Sequence, residues 1–154
     1  MPTNMYGPFD NFELETSHVL PAFINRFVFA AKNMAQFVTV WGSGKPRREF
    51  LHCEDFAKAT LMAAEKYDAP EHLNVGTGED VTIAELAETV ASTAGFNGKI
   101  SWDSSKPDGT PRKVLDVTNI KKVGWVPEIP LKEGIASTIE WFKENEKTLV
   151  KRER

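Results

Sequence analysis

The sequence predicts an α/β fold in which short, mostly parallel strands alternate with amphipathic helices. β-rich runs such as Phe37–Trp41 end at glycine turns, and runs with helical spacing of their apolar residues follow them. The strands are few and short for the helical content. We therefore predict that residues 1–154 form a single domain, the smaller part of a two-part protein.

The N-terminal part of the chain predicts a strand followed by a helix. Met1–Met5 indicates a short strand that Gly7 and the proline after it interrupt. From His18 onward the spacing is helical, and Ser17 is the predicted N-cap. The apolar positions of this helix are Val19, Leu20, Phe23, Phe27 and Ala30.

The middle of the chain continues the alternation. Lys45–Arg48 indicates a basic loop and Glu49–His52 a short extended segment. Asp55–Lys66 is Ala-rich and amphipathic, which favours a helix of about three turns. His72–Val75 then predicts another short strand.

The next helix carries the clearest local signals. Thr82 and Glu85 have the spacing of a capping box, and Gly95 follows as a helix stop. Lys99–Trp102 predicts a strand, and Ser104–Arg112 is rich in turn-forming residues.

Two helices are predicted near the C-terminus. Asp116 is placed to cap a short helix over residues 117–123, which Gly124 closes. Leu131–Glu146 aligns apolar residues on one face, and the KTLVKRER segment at the end is interpreted as a solvated helix end.

Composition excludes several classes of function. The net charge of −3 supplies no basic field, so we expect no nucleic-acid partner. No apolar run approaches the roughly 20 residues that cross a bilayer, so we expect no membrane partner. The lone Cys53 cannot form an internal disulfide and is predicted to be a small buried residue. A reducing compartment and the absence of a signal-like N-terminus favour a cytoplasmic location.

Several motifs occur in order along nearly the whole chain. They are PTNMYGPFDNF, SHVLPAFINRF, VWGSGKPRREFLH, HLNVGTGEDVTIAELAE, SKPDGTPRKVLDV and a GWVPEIPLKEGI ending. With these motifs the chain resembles the C-terminal half of the GDP-L-fucose synthase family, which are extended short-chain dehydrogenases/reductases of the NAD-dependent epimerase/dehydratase type.

The resemblance implies a reaction and a cofactor. The family converts GDP-4-keto-6-deoxy-D-mannose to GDP-L-fucose by 3,5-epimerisation and NADP-dependent 4-reduction. Its NADP lies on an N-terminal Rossmann half with a Gly-rich turn and a Tyr-x-x-x-Lys pair. The GSG and GTG turns here lack the third glycine, and neither tyrosine has a lysine four residues on. The resemblance therefore implies a substrate domain whose Rossmann half is missing, and we expect the isolated chain to be inactive.

The resemblance assigns His18 a catalytic role. Epimerisation beside a ketone removes a carbon-bound proton on one face and returns one on the other, so it needs two proton-transfer groups. An imidazole suits this because it titrates near neutral pH. In the family the second group is a cysteine of the N-terminal half. The alternative is that His18 is a polar residue of a first helical turn.

The resemblance also places the cofactor-binding residues. Those beside the nicotinamide end of NADP are Pro2, Thr3, Asn4, Met5 and His18. The alternative for the first four is a plain strand-to-turn junction.

Four further residues match contacts to the GDP-sugar substrate: Arg26, Trp41, Arg48 and Asp108. Guanidinium groups bind pyrophosphate, an indole offers a flat apolar face, and a carboxylate accepts hydrogen bonds from hydroxyl or ring N–H groups. The alternatives are solvated positions for the arginines, a core position for Trp41 and a turn role for Asp108. No metal site is predicted.

Other functions remain open on the sequence. The chain can be a non-catalytic module that binds sugar nucleotides, or a truncated fragment of a related epimerase acting on UDP- or dTDP-sugars. An N-terminal half supplied in trans is a possible partner. The family is usually homodimeric through helices of that half.

Overall fold

A computed structural model describes residues 1–150 and confirms the α/β class. This part of the chain contains five helices and seven strands. The helices are α1 (Val19–Lys32), α2 (Cys53–Lys66), α3 (Ile83–Ala94), α4 (Thr118–Val123) and α5 (Leu131–Val150). The strands are β1 (Asn4–Tyr6), β2 (Phe37–Trp41), β3 (Arg47–Arg48), β4 (Phe50–His52), β5 (Val81–Thr82), β6 (Lys99–Asp103) and β7 (Arg112–Lys113). The predicted solvated end at 151–154 lies outside the described residues.

The strands form three small sheets with mostly parallel pairing, as predicted. β1 is parallel to β4, with Asn4 opposite Phe50. β2 is parallel to β6, with Phe37 opposite Lys99. In the third sheet β3 lies between β5 and β7, antiparallel to the first and parallel to the second. Helical connections between paired strands account for the parallel arrangement.

Two apolar clusters hold these elements together. The larger lies where α1 and α5 pack on α3, and its fully buried members include Phe27, Leu86 and Ile135. The smaller lies between α2 and α4 around Leu51 and Ile120. Burying these side chains is the main stabilising term for the domain.

The first helix begins one residue later than predicted. Its N-cap is His18, and within residues 1–150 the Ser17 hydroxyl is buried without a hydrogen-bond partner. The Ser17 N–H instead donates to the Glu13 carbonyl (2.8 Å), which closes the preceding turn. The prediction of Ser17 as N-cap is therefore wrong, because this turn fixes the backbone before the helix begins.

The predicted strand His72–Val75 is also wrong. This segment makes only an isolated parallel bridge, between Val75 and Pro2. The Thr3 N–H donates to the Val75 carbonyl (3.0 Å), and the Val75 N–H donates to the Met1 carbonyl (2.8 Å). Proline cannot donate to a ladder, which limits pairing here.

Two further local predictions need correction. Arg47 and Arg48, predicted in a loop, form β3 because neighbouring strands pair with both of its edges. The short helix α4 begins at Thr118, and its N-cap is Val117 rather than Asp116. The Asp116 carboxylate still accepts hydrogen bonds from the Thr118 N–H (2.9 Å) and hydroxyl (2.6 Å), so it supports the helix from one residue earlier.

The capping box of α3 is confirmed. The Glu85 N–H donates to the Thr82 hydroxyl (3.0 Å), and the Thr82 N–H donates to the Glu85 carboxylate (2.7 Å). Gly95 ends the helix in the left-handed conformation. Cys53, predicted to be buried, is only half-buried because it is the first residue of α2 and faces a cavity.

Two classes of feature are absent from residues 1–150. None of the helices described there has both the length and the apolar character that a membrane span requires. His, Cys, Asp and Glu side chains in the same range form no group of three or more that could hold a metal ion.

Candidate functional site

Six of the predicted site residues line a single cavity of about 320 Å³, here called the Trp41 cleft. It lies between β1, the start of α1, the turn after β2, and the loop before β7. The six are Asn4, Met5, His18, Trp41, Arg48 and Asp108. They come from five separate parts of the sequence, so the fold itself brings them together.

Trp41 ends β2 with its indole on the surface of the cleft. The residue is 64% exposed, which excludes the alternative of a core position. The Lys106 ammonium lies 5.4 Å from the ring centroid, a distance at which a cation is attracted to the ring face. An exposed indole with a nearby cation can bind a flat, anionic ligand.

Arg48 is half-buried in β3 and contributes positive charge to the cleft. Its Nη1 donates to the Arg47 carbonyl (2.8 Å). The backbone of β3 is fixed by pairing on both edges, and Phe50 follows as a buried residue. A guanidinium on such a rigid support can bind phosphate oxygens in a defined geometry.

Asp108 lies across the cleft in the loop before β7. Its Oδ1 accepts the Ser43 N–H and its Oδ2 accepts the Ser43 hydroxyl, both at 2.6 Å. These two hydrogen bonds hold the pKa of the Asp108 carboxyl below its usual range, the hydroxyl contributing first. Asp108 is therefore ionised at neutral pH and joins two loops that are far apart in sequence.

His18 occupies the N-cap of α1 and is exposed. It lines the Trp41 cleft and also a neighbouring cavity of about 400 Å³. We call the second one the Cys53 cavity; it is lined by Thr3, Asn4, Met5, Tyr6, Gly7, Pro8, Phe9, Asp10, His18 and Cys53. The imidazole can therefore contact ligands in either space.

The Cys53 cavity has a polar wall and an apolar rim. The Asn4 amide donates to the Glu49 carbonyl (2.8 Å), which fixes the Asn4 side chain beside His18. Burial raises the pKa of Asp10 and that of the Cys53 thiol. Burial therefore favours the neutral thiol of Cys53 over the thiolate, which is the nucleophilic form.

Two predicted site residues lie outside both cavities. The Arg26 Nη1 donates to the Thr39 carbonyl (3.0 Å) on β2. Pro2 pairs with Val75. The other seven predicted site residues line the Trp41 cleft, the Cys53 cavity or both, whereas Arg26 and Pro2 line neither.

Sequence reasoning missed a buried carboxylate behind the cleft. Glu49 is completely buried between Arg48 and Phe50. Its Oε1 accepts the Gly78 N–H (2.7 Å) and its Oε2 accepts the Leu115 N–H (2.9 Å). The sequence signal for this site is a charged residue inside a short strand-like segment. That signal does not identify the partners of Glu49, because they lie in loops that are distant in sequence.

A second missed feature joins the strands of the third sheet. Asp80, whose side chain is 4% exposed, binds Arg47 through its Oδ1 (2.6 Å) and Arg112 through its Oδ2. Both arginines lower the pKa of Asp80, Arg112 first. This cluster connects β3 to the chain on either side of it.

Comparison with known proteins relates this chain to one family. Residues 1–76 match the model of the NAD dependent epimerase/dehydratase family. The probable GDP-L-fucose synthase 1 of Oryza sativa subsp. japonica is 56% identical over 145 residues, covering 94% of this chain and 44% of that protein. The GDP-L-fucose synthase of Escherichia coli (strain K12) is 51% identical over 155 residues, and this match covers 95% of this chain and 48% of that protein.

A solved structure agrees with these matches. The GDP-L-fucose synthetase of Naegleria fowleri, solved with NADP bound, superposes with a TM-score of 0.89 at 32% identity. The match covers 96% of this chain and 46% of that one. The chain thus spans about half the length of the relatives it matches.

Proposed function

We propose that this chain belongs to the NAD dependent epimerase/dehydratase family and is the substrate-binding domain of an NADP-dependent GDP-L-fucose synthase. The complete enzyme would convert GDP-4-keto-6-deoxy-D-mannose to GDP-L-fucose. One observation carries this proposal: Trp41, Arg48, Asp108 and His18 line one cleft. The sequence that supplies them is 51% identical to a GDP-L-fucose synthase over 155 residues.

The Trp41 cleft supplies the groups that a nucleotide sugar requires. The guanidinium of Arg48 pairs with pyrophosphate oxygens, and the indole of Trp41 packs on an apolar ligand face. The ionised Asp108 carboxylate accepts hydrogen bonds from hydroxyl or ring N–H groups. Arg26 would join this site by releasing the Thr39 carbonyl and turning toward the phosphates.

His18 would transfer protons during epimerisation. A basic imidazole removes a proton from the carbon beside the ketone, which leaves an enolate, and reprotonation from the opposite face inverts that carbon. Two such groups on opposite faces are needed, and the described residues offer His18 for one face. The second would come from the partner half.

The Cys53 cavity fits one end of a dinucleotide. Asn4 and His18 form a polar wall on which a carboxamide or ribose can bind, and Thr3 and Met5 line the same space. NADPH, when bound, would supply the hydride for the C4 ketone, and a group of the proposed Rossmann half would supply the proton that completes the alcohol. Pro2 does not line this cavity, so it would act only indirectly, by fixing the backbone that leads into Thr3.

An enzyme of this kind needs both parts in one complex. The described chain carries one wall of the Cys53 cavity, so we propose that it is inactive alone and that an N-terminal Rossmann half completes it. The lone cysteine suits a reducing compartment, and we propose a cytoplasmic location.

Calorimetric titration tests the proposal directly. GDP and GDP-mannose should bind this chain with a Kd in the micromolar to millimolar range, and UDP should bind at least tenfold more weakly, because guanine recognition defines the substrate class. Binding of UDP as tight as that of GDP would instead favour an epimerase acting on UDP-sugars. Absence of binding by any nucleotide would overturn the assignment.

Complementation separates the enzyme from a non-catalytic module. The module is favoured by one observation: Trp41, Arg48 and Asp108 line one cleft within the described chain. Mixing this chain with a separately produced Rossmann half should restore NADPH oxidation that depends on the keto sugar. Nucleotide binding with no activity in the mixture would favour the module.

A further inference from the structure

The loop at residues 104–111 contributes Pro107 and Asp108 to the lining of the Trp41 cleft, and every one of its residues is exposed. No apolar side chain from this loop is buried among residues 1–150. Exposed loops without buried apolar groups are ordinarily the least stable parts of a domain. Its position over the cleft therefore has to come from specific polar contacts.

The strongest of these contacts is the pair formed by Ser43 and Asp108. Ser43 donates both its N–H and its hydroxyl, one to each carboxylate oxygen, at 2.6 Å. Hydrogen bonds to an ionised acceptor are stronger than neutral ones. Both donors belong to the glycine turn after β2, so this one residue connects two sides of the cleft.

The backbone of that turn is shaped for the carboxylate. Gly42 has φ +86°, a conformation that favours glycine. A Cβ atom at this position would stand 2.6 Å from the Asp108 Oδ1. The absence of a side chain at Gly42 is therefore what allows the carboxylate to reach Ser43.

Two weaker contacts extend the same connection toward the ligand side chains. The Lys106 ammonium lies over the Trp41 ring, and a Cβ atom placed on Gly109 would stand 3.8 Å from the Arg48 Nη2. The C-terminal end of the loop is fixed where the Arg47 N–H donates to the Pro111 carbonyl (2.8 Å). Release of Asp108 would therefore disturb two of the groups that line the cleft.

We propose that Ser43 is a positioning residue for the nucleotide sugar: it holds Asp108, and with it the 104–111 loop, across the mouth of the Trp41 cleft. This inference rests on the proposed function for the identity of the ligand. Its purely structural part, the order of the loop, does not depend on any ligand.

The first test measures the loop without ligand. Backbone ¹⁵N order parameters should be about 0.8 for the non-proline residues of 104–111 in this chain and fall below about 0.6 in Ser43→Ala. Ser43→Thr keeps a hydroxyl and should restore the order. Ser105→Ala is the matched control, because the Ser105 hydroxyl binds Asp103 within its own turn (2.6 Å). Unchanged order parameters in Ser43→Ala would overturn the proposal.

The second test measures GDP affinity by calorimetry. Ser43→Ala should raise the Kd for GDP by roughly threefold to tenfold, the effect of one lost hydrogen bond, whereas Ser43→Thr and Ser105→Ala should leave it within twofold. A mobile loop with an unchanged Kd would overturn the positioning role. If the parent chain binds no GDP while Ser43→Ala still frees the loop, the proposed function fails and the loop contact stands.

Discussion

The Trp41 cleft and the Cys53 cavity share His18 but differ in how their walls are supported. Behind the Trp41 cleft lie β3 and the buried Glu49, and Asp80 ties β3 to β5 and β7. The Cys53 cavity is formed largely by one segment, residues 3–10. Its Phe9 is 86% exposed although the ring lies 4.9 Å from that of Trp141.

This difference indicates where each ligand would obtain its binding energy. A wall fixed by buried charges and strand pairing presents preorganised groups, which reduces the ordering cost of binding. An exposed apolar rim gains stability only when another surface covers it. Under the proposed function, we therefore expect the chain to bind the nucleotide sugar on its own and to bind NADP only together with the proposed Rossmann half.

The largest expected effect lies at the residue that both cavities share. His18→Asn should lower the epimerisation rate of the complemented enzyme about 10²- to 10⁴-fold, because it removes a proton-transfer group. Exchange of substrate protons with deuterated solvent, followed by NMR, measures this step. His72→Asn, at an exposed site away from both cavities, is the control. Equal exchange in the two variants would contradict the role of His18.

The next effect tests the support of the Trp41 cleft. Glu49→Ala should lower the free energy of unfolding by about 2–4 kcal/mol, because the Gly78 and Leu115 N–H groups lose their buried acceptor. Urea denaturation followed by circular dichroism measures it. Glu88→Ala, on the exposed face of α3, should change stability by less than about 0.5 kcal/mol. An equally small loss of unfolding free energy for Glu49→Ala would show that the hydrogen bonds of Glu49 are dispensable for stability.

A smaller effect separates the two cavities by their ligands. Trp41→Ala should raise the Kd for GDP about threefold to tenfold, since an aromatic contact contributes about 0.5–1.5 kcal/mol. Phe9→Ala removes an exposed aromatic ring from the other cavity and should leave the Kd unchanged. Calorimetry on both variants decides the matter. An equal loss in the two would mean that the cavities bind one ligand together.

The smallest effect is a pH dependence of the Trp41 cleft wall. Arg112 and Arg47 lower the pKa of Asp80, so the folded state favours its charged form. The resulting stability is present above the unfolded value of about 3.9 and is lost as the pH falls through the lowered folded value. Melting temperatures between about pH 2 and 5 should show this loss in the parent chain and a weaker one in Asp80→Asn. Identical pH profiles would exclude the contribution.

Much of the local structure was predictable from short-range patterns. The capping box at Thr82 and the stop at Gly95 depend on groups within one helical turn, and both are confirmed. Ser17 failed as an N-cap because the helix begins one residue later, with His18 at the cap, and the Ser17 hydroxyl accepts no hydrogen bond among residues 1–150. His72–Val75 failed as a strand because its neighbour in the fold carries Pro2, which cannot complete a ladder.

For the candidate site, the sequence predicted which residues belong to it, through their resemblance to family motifs, but not how those residues are arranged. The motifs named His18, Trp41, Arg48 and Asp108, and the structure brings these four to one cleft. Neither spacing nor resemblance indicated that Ser43 holds Asp108, since 65 residues separate them. Glu49 was missed for the same reason, because its partner Leu115 lies 66 residues away.

The sequence by itself determined the helices, the turns and the resemblance of this chain to a known family, because capping, periodicity and motif order are properties of neighbouring residues. Only the tertiary structure decided which loops meet across the Trp41 cleft and which carboxylates are buried. It also decided that Arg26 lies outside the cleft. Those outcomes depend on hydrogen bonds and packing between distant segments, and these form only once the helices and sheets have folded against one another.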